Sequence, residues 1–469
     1  MALEYIDRPP RIQPELPANK HNIPSPPQQE RDGIEQLIQS VMPLIGMLGF
    51  AFASGSGNIA AMAPMGLMMG GTMGFSLWQR GRQKDKLLQK QKLYREHLLE
   101  LRQDMTREQN VQRLHYRHVY PDIPTVLEIA NRSEASRFGN RLWERRPSDP
   151  DFGVIRLGMG TRPSTVVYTF DKQNNPLEDT PLHKDARRLA DDSAIVTDAP
   201  VTINLRQWTK PAASEEATAT ESSAVPPRHS VGLFGKNPTA TSDFARAVLA
   251  NFCAFHSAQD TRLWVVGHSK QSVNWQWAEW MPHVNIRGIG DDDEDSGKPK
   301  AIPQLCFSDE LPAIKTFWKM IKKELDTRQV RLRDSKNDDK GGGDVSLPML
   351  LVVVDMVGDL PKDHPLRDVA SEAVVAQING NGPQLGAAII YLGNDPTRVP
   401  SDCQAMVEVS PTGNEVVFRY TEVGLNSPRY MGIADLLNAN DARANFAARI
   451  RREYAAKARR AARLRGVAR

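Results

Sequence analysis

The chain has 469 residues, room for two or three domains. Lys and Arg number 60 against 56 Asp and Glu, and a net charge of only +4 excludes a global nucleic-acid-binding profile. Cys253, Cys306 and Cys403 stand far apart and form no Cys-x2-Cys pair. This excludes a disulfide framework and a zinc site, and fits buried or free thiols in a reducing compartment.

Residues 1–33 are rich in Pro and polar residues, too poor in apolar surface to build a core, and read as a disordered, extended cytoplasmic tail. Residues 34–78 then hold two apolar runs, 37–53 and 59–78, joined by a charge-free tip, Ser54-Gly55-Ser56-Gly57-Asn58. At 1.5 Å per residue the runs span about 26 and 30 Å, close to a hydrocarbon core. Gly66, Gly70 and Gly74 repeat every fourth position, a small-residue stripe suited to close helix packing in a bilayer. Arg8, Arg11, Lys20 and Arg31 precede the runs, and Arg80, Arg82, Lys84 and Lys86 follow them. The segment reads as a transmembrane helical hairpin with both termini cytoplasmic.

Residues 79–119 are rich in Lys, Arg, Glu, Gln and Leu without proline, which predicts a helical stalk. Leu87, Leu88, Leu98, Leu99 and Leu101 offer a partial stripe for a coiled coil, and Pro121 sets the stop. Residues 120–432 alternate strand and helix patterns and predict an α/β domain. Its predicted elements are a helix at 125–137 and strands at 154–157, 165–170, 201–205 and 229–234. A helix follows at 242–256, strands at 263–267 and 349–355, a helix near 369–378, and strands at 387–392, 404–409 and 415–420. Residues 210–227, 288–300 and 334–346 read as polar loops or insertions. Residues 433–469 predict a basic C-terminal helix that leaves association with anionic lipid or DNA open.

A strand, a Gly-containing loop and a helix over 229–256, followed by an apolar strand ending in Asp355, is the layout of a phosphate-binding loop. That chemistry needs backbone amides around the phosphates, a Lys at the helix start, a Ser or Thr on magnesium and an acid on a nearby strand. With Gly235 at the first glycine position, Thr241 stands where the lysine belongs and Ser242 fits the magnesium hydroxyl. Lys236 follows Gly235 too early to reach the terminal phosphates, Pro238 removes an amide, and Met356 stands where a second acid would polarise water. Gly235, Lys236, Thr241, Ser242 and Asp355 therefore form a degenerate nucleotide site that would hold ATP and Mg2+ weakly. The residues present no catalytic set and no metal cluster. His283 and the Trp275, Trp277 and Trp280 cluster read as structural.

Further motifs carry a family resemblance. They are Arg8-Pro9-Pro10-Arg11, Leu142-Trp143-Glu144-Arg145-Arg146-Pro147, Asp149-Pro150-Asp151-Phe152, Arg156-Leu157-Gly158 and Trp280-Met281-Pro282-His283, in this order with the hairpin and stalk. Over most of residues 1–430 the chain resembles the N-terminal half of the FtsK/SpoIIIE-type membrane ATPase of type VII secretion, the EccC/EssC component. The resemblance implies a degenerate P-loop-like α/β domain over 120–432 and a place among other membrane subunits of an oligomeric protein-export channel in the lipid bilayer. Family members continue into further ATPase domains, whereas this chain stops at Arg469, so the resemblance puts a separate motor ATPase on another chain. The leading expectation is a non-hydrolytic assembly platform. A weak or regulatory ATPase and a DNA-associated FtsK-like membrane protein remain open beside it.

Overall fold

In a computed structural model, the structure describes residues 11–27, 63–131, 141–170, 180–206, 228–284, 304–337, 347–422 and 429–467. In chain order the principal elements are β1 (Lys20–Asn22), α1 (Ala63–Val119), α2 (Ile123–Asn131), β2 (Val154–Pro163), β3 (Val167–Thr169), α3 (Pro181–Ser193) and β4 (Ile195–Asn204). They continue with β5 (Ser230–Phe234), α4 (Pro238–Phe255), β6 (Thr261–Gly267), α5 (Ser272–Trp275), β7 (Leu305–Phe307), α6 (Leu311–Asn337), β8 (Met349–Asp355), α7 (Ala373–Leu385) and β9 (Ala387–Gly393). The last are β10 (Ala405–Thr412), β11 (Glu415–Glu422), β12 (Tyr430–Ala434), α8 (Ala439–Asp441) and, after a π-helical stretch at Ala442–Ala447, α9 (Ala448–Val467). The chain divides into two compact units.

The smaller unit comprises residues 16–112 and 163–196. Strand β1 pairs in parallel with β3, Lys20 opposite Val167 and Asn22 opposite Thr169. Ile23 is 2% exposed, packed with Tyr94, Leu98 and Met105 of α1, Tyr168 of β3, and Leu182, Ala186 and Leu189 of α3. The Tyr94 hydroxyl donates to the Pro24 carbonyl at 2.8 Å. Residues 20–24 of the expected tail thus build a strand and part of a core, because their partners come from far along the chain.

Helix α1 is one continuous stretch of 57 residues, in which the end of the second apolar run and the expected stalk are joined. It ends at Val119, before Pro121, as read. Its inward positions are Tyr94, Leu98 and Met105, while Leu88 and Leu99 are exposed, so the expected leucine stripe splits between core and solvent. Residues 37–53, the tip and residues 59–62 of the hairpin lie outside the described residues. Among the described residues no helix is long and apolar enough to cross a membrane. The second run contributes only Ala63–Trp78, about 24 Å, before charge begins. The two-span hairpin therefore finds no support in the structure.

The larger unit holds a ten-stranded sheet in the order β4-β2-β12-β11-β10-β5-β9-β8-β6-β7. From β10 to β7 the neighbouring strands are parallel. The pairs β10–β11, β11–β12 and β12–β2 are antiparallel. Strand β8 reads Met-Leu-Leu-Val-Val-Val-Asp and is buried throughout, as a central parallel strand covered on both faces demands. One face packs on α2, α4 and the C-terminal helical segment, through Val126, Phe244, Phe252 and Phe446. The other packs on α6 and α7, through Ile314, Phe317, Ile321, Leu325, Val375 and Ile378.

Three differences from the sequence reading bear on function. Helix α4 begins at Pro238 rather than residue 242, because Asn237 caps it and Pro238 suits a first helical position. Helix α6 was not predicted, although Ile314, Phe317, Trp318, Ile321 and Leu325 carry helical spacing. The expected basic helix over 433–469 is different at its start. Residues 430–434 form a sheet strand, and Ala442, Phe446, Ala447 and Ile450 are buried in the core. Residues 210–227, 288–300 and 338–346 lie outside the described residues, and residues 334–337, expected in a polar insertion, end helix α6.

Candidate functional site

The predicted site residues come to the carboxyl-terminal end of the central parallel strands β5, β9 and β8. Asp355 ends β8 and pairs with Leu392 of β9, which pairs with Leu233 of β5. Two strand spacings separate Asp355 from Leu233, about 10 Å, and Gly235 opens the loop just beyond. This is where a phosphate loop and a magnesium-binding acid would stand.

The loop is three residues, Gly235-Lys236-Asn237, and is closed by its own bonds. The Asn237 side chain accepts from the Ala240 amide at 3.1 Å, and the Asn237 carbonyl accepts from the Thr241 amide at 3.0 Å. Pro238 has no amide hydrogen. Thr241 is fully buried, and its hydroxyl lies 3.0 Å from the Asn237 carbonyl and 3.3 Å from that of Gly235. A side chain at residue 241 thus turns back onto the loop rather than out toward a ligand. Gly235 is required by packing: a Cβ there would meet the Val409 carbonyl at 2.4 Å and Thr241 Oγ1 at 2.7 Å. Ser242 is buried in the next position, and Lys236 is exposed. The helix start offers few free amides for an anion.

Asp355 is fully buried and already occupied. Trp275 Nε1 donates to one carboxylate oxygen at 2.7 Å, and the Val357 amide donates to the other at 3.0 Å. Burial pushes this carboxyl above its ordinary range, against those two hydrogen bonds. The Trp275 ring stacks on Trp277 and Phe307 at centroid distances of 6.0 and 6.3 Å. The Gln271 side chain donates to the Val357 carbonyl, and Asn394 closes both backbone groups of Gly358. Asp355 is therefore built into the packed carboxyl-terminal end of the sheet.

A second polar cluster at this end of the sheet escapes the sequence reading. The Asp309 carboxylate accepts from the Ser269 amide at 3.0 Å and hydroxyl at 2.5 Å, and one of its oxygens lies 3.3 Å from both His268 Nδ1 and His364 Nε2. The Ser269 hydrogen bonds hold its carboxyl well below the usual range. No local spacing announces this trio. Among the described residues no group of three or more His, Cys, Asp or Glu is arranged to hold a metal ion. All three cysteines are free; burial pushes the Cys253 and Cys403 thiols up, Cys403 to about 12.

The resemblance-bearing residues serve packing and ion pairing. Trp143 and Phe152 are buried, and the Gly153 amide donates to His256 Nε2 at 2.9 Å. His283 is fully buried and bonded to the His256 carbonyl at 2.8 Å; burial lowers it to about 4.

The geometry defines an α/β chain of phosphate-loop layout whose loop is shut by a helix cap and whose strand-end acid is held by a tryptophan. Its homologues are the EccC/EssC secretion proteins of the type VII system. The chain is 26% identical over 288 residues to the ESX secretion system protein EccC of Thermomonospora curvata, covering 58% of this chain and 19% of that protein. It is 25% identical over 294 residues to EccC of Geobacillus thermodenitrificans, covering 60% and 18%. Over 191 residues it is 24% identical to the ESX-4 secretion system protein EccC4 of Mycobacterium tuberculosis, covering 40% and 13%. The matched stretches span less than a fifth of these relatives. No protein-family model matches. Among solved structures, the cytoplasmic domain of the Thermomonospora curvata type VII secretion ATPase EccC superposes with a TM-score of 0.39 at 13% identity, over 66% of this chain and 32% of that one.

Proposed function

We propose that this protein is a component of a type VII secretion-like protein-export machine, and that its α/β unit is a non-hydrolytic platform on which a motor ATPase outside these residues assembles. Relatedness to EccC proteins supports the secretion role. The platform role rests on one observation: the nucleotide position is occupied by the protein's own bonds, Asn237 and Thr241 closing the loop and Trp275 holding Asp355. A phosphate loop needs free amides and a lysine, and a magnesium site needs an acid with oxygens to spare.

In this reading the protein works at the inner membrane. The charge-free runs at 37–53 and 59–78 supply the sequence argument for a bilayer anchor with both termini cytoplasmic. Its partners are other membrane subunits of the channel and the motor.

The test is to extract the full-length chain from its host membrane in mild detergent and assay ATP hydrolysis by the chain alone and with what co-purifies. We expect none from the isolated chain, and activity only in fractions that contain a second, ATPase polypeptide. Hydrolysis by the isolated chain, abolished by Asp355→Ala in a folded variant, overturns the platform reading.

A further inference from the structure

Residues 141–151 carry an ion network that is one positive charge short. Arg141 donates to both oxygens of Glu144, at 3.0 and 2.6 Å. Arg145 is fully buried, with Nε 2.9 Å from Asp151 Oδ2, and it donates to the Val119 and Val154 carbonyls at 3.0 and 3.2 Å. Asp149 accepts from the Arg146 amide at 2.8 Å and stabilises the turn. Glu144, Asp149 and Asp151 thus face two inward guanidiniums, and Arg146 is exposed.

Arg11 supplies the missing charge. Its Nη1 donates to Asp151 Oδ1 at 2.6 Å and to Asp149 Oδ2 at 3.2 Å, its Nη2 donates to Asp151 Oδ2, and its Nε lies 4.0 Å from Glu144. This is the paired-fork geometry in which arginine reads a carboxylate. Burial pushes the Asp151 carboxyl up, but the Arg11 hydrogen bonds and the Arg145 and Arg11 charges outweigh it and hold it low.

The rest of the segment is held lightly. Ile12 is 82% exposed, and Gln13, Pro14 and Glu15 are exposed. Two backbone carbonyls touch α1: Ile12 at 3.2 Å from His118 Nε2, and Pro14 at 2.6 Å from His115 Nδ1. No apolar side chain of 12–15 is buried, so docking is ionic and hydrogen-bonded. The Arg11 guanidinium is only 13% exposed, so salt weakens its pairing in part, and a competing charge in the socket releases it.

We propose that Glu144, Asp149 and Asp151, set by Arg141 and Arg145, form an arginine socket, and that Arg11 closes it as a reversible latch for residues 11–15. The sequence motif that holds the socket is then a receptor for the protein's own N-terminal segment.

Two experiments on the full-length chain test this. Trypsin must take the Arg11 side chain into its own pocket to cut the Arg11–Ile12 bond, so the socket protects that bond. Relative to a free peptide of residues 8–15, we expect cleavage slowed about tenfold at low salt, with protection reduced at high salt and in Asp149→Asn. Cleavage at the free-peptide rate, or protection unmoved by salt and by Asp149→Asn, overturns the latch. In the second experiment, a fluorescent peptide of residues 8–15 is titrated by anisotropy into the Arg11→Ala chain, with its fold checked by circular dichroism. We expect binding about tenfold tighter than to the unaltered chain, whose socket is filled, and no binding by the peptide carrying Arg11→Ala. Equal binding to both chains, no binding to either, or binding indifferent to the peptide's Arg11 overturns the socket.

Discussion

The loop after β5 and the end of β8 lie at the same carboxyl-terminal end of the sheet, two strands apart, and are closed in different ways. At the loop the closure is local. Asn237 and Pro238 start the helix early, and the Ala240 and Thr241 amides are taken up by Asn237. At Asp355 the closure is tertiary: an indole from α5 donates into a buried carboxylate and stacks on two further aromatic rings. The local closure is a surface cap of small energy, whereas the tertiary one is part of the core. Reopening the loop is thus a minor change, and freeing the acid means taking the core apart.

The largest expected effect follows from that contrast. Trp275→Ala removes a buried ring and a hydrogen bond to a buried carboxylate, and should cost about 3–5 kcal/mol in urea unfolding. A loss below about 1 kcal/mol would make the ring a displaceable lid and break the comparison. Asp355→Asn keeps the shape but offers one acceptor to two donors, so it should cost about 1–3 kcal/mol. Its pH dependence sharpens the point. Because burial raises the folded-state value of Asp355, the native state binds more protons than the unfolded one. The stability tied to this group is complete below about pH 4 and falls as pH rises through the folded-state value. The gap between the unaltered chain and Asp355→Asn should therefore narrow as pH rises above 4, and a widening gap would contradict the buried-acid account.

The loop should respond less. Asn237→Ala removes a helix cap and should cost about 1 kcal/mol, read by the same unfolding curve. Lys236→Ala changes an exposed side chain and should stay within about 0.5 kcal/mol. A larger loss at Lys236 than at Asn237 would mean that the lysine has a bonded role in the loop.

Much of the parallel sheet was legible because its strands are short apolar runs with their own boundaries. Strand β8 was read residue for residue at 349–355, since a buried parallel strand ending in an acid has no competing helical period. Helix α6 carries helical spacing at Ile314, Phe317, Trp318, Ile321 and Leu325, set among the charged residues that continue into the polar insertion. The start of α4 was set late because the phosphate-loop pattern was read ahead of the Asn-Pro cap, which is the stronger local signal. What decides the site was not legible. The bond from Trp275 to Asp355, the Asp309 trio and the pairing of β1 with β3 all join residues distant in sequence. Local pattern carries no information about such partners.

The most direct measurement is calorimetric titration of the full-length chain in detergent with ATP and magnesium. The account predicts no saturable heat up to about 1 mM ATP from a preparation shown to be folded. Saturable binding in the micromolar range, weakened by Lys236→Ala, would contradict it and make the loop a live nucleotide site.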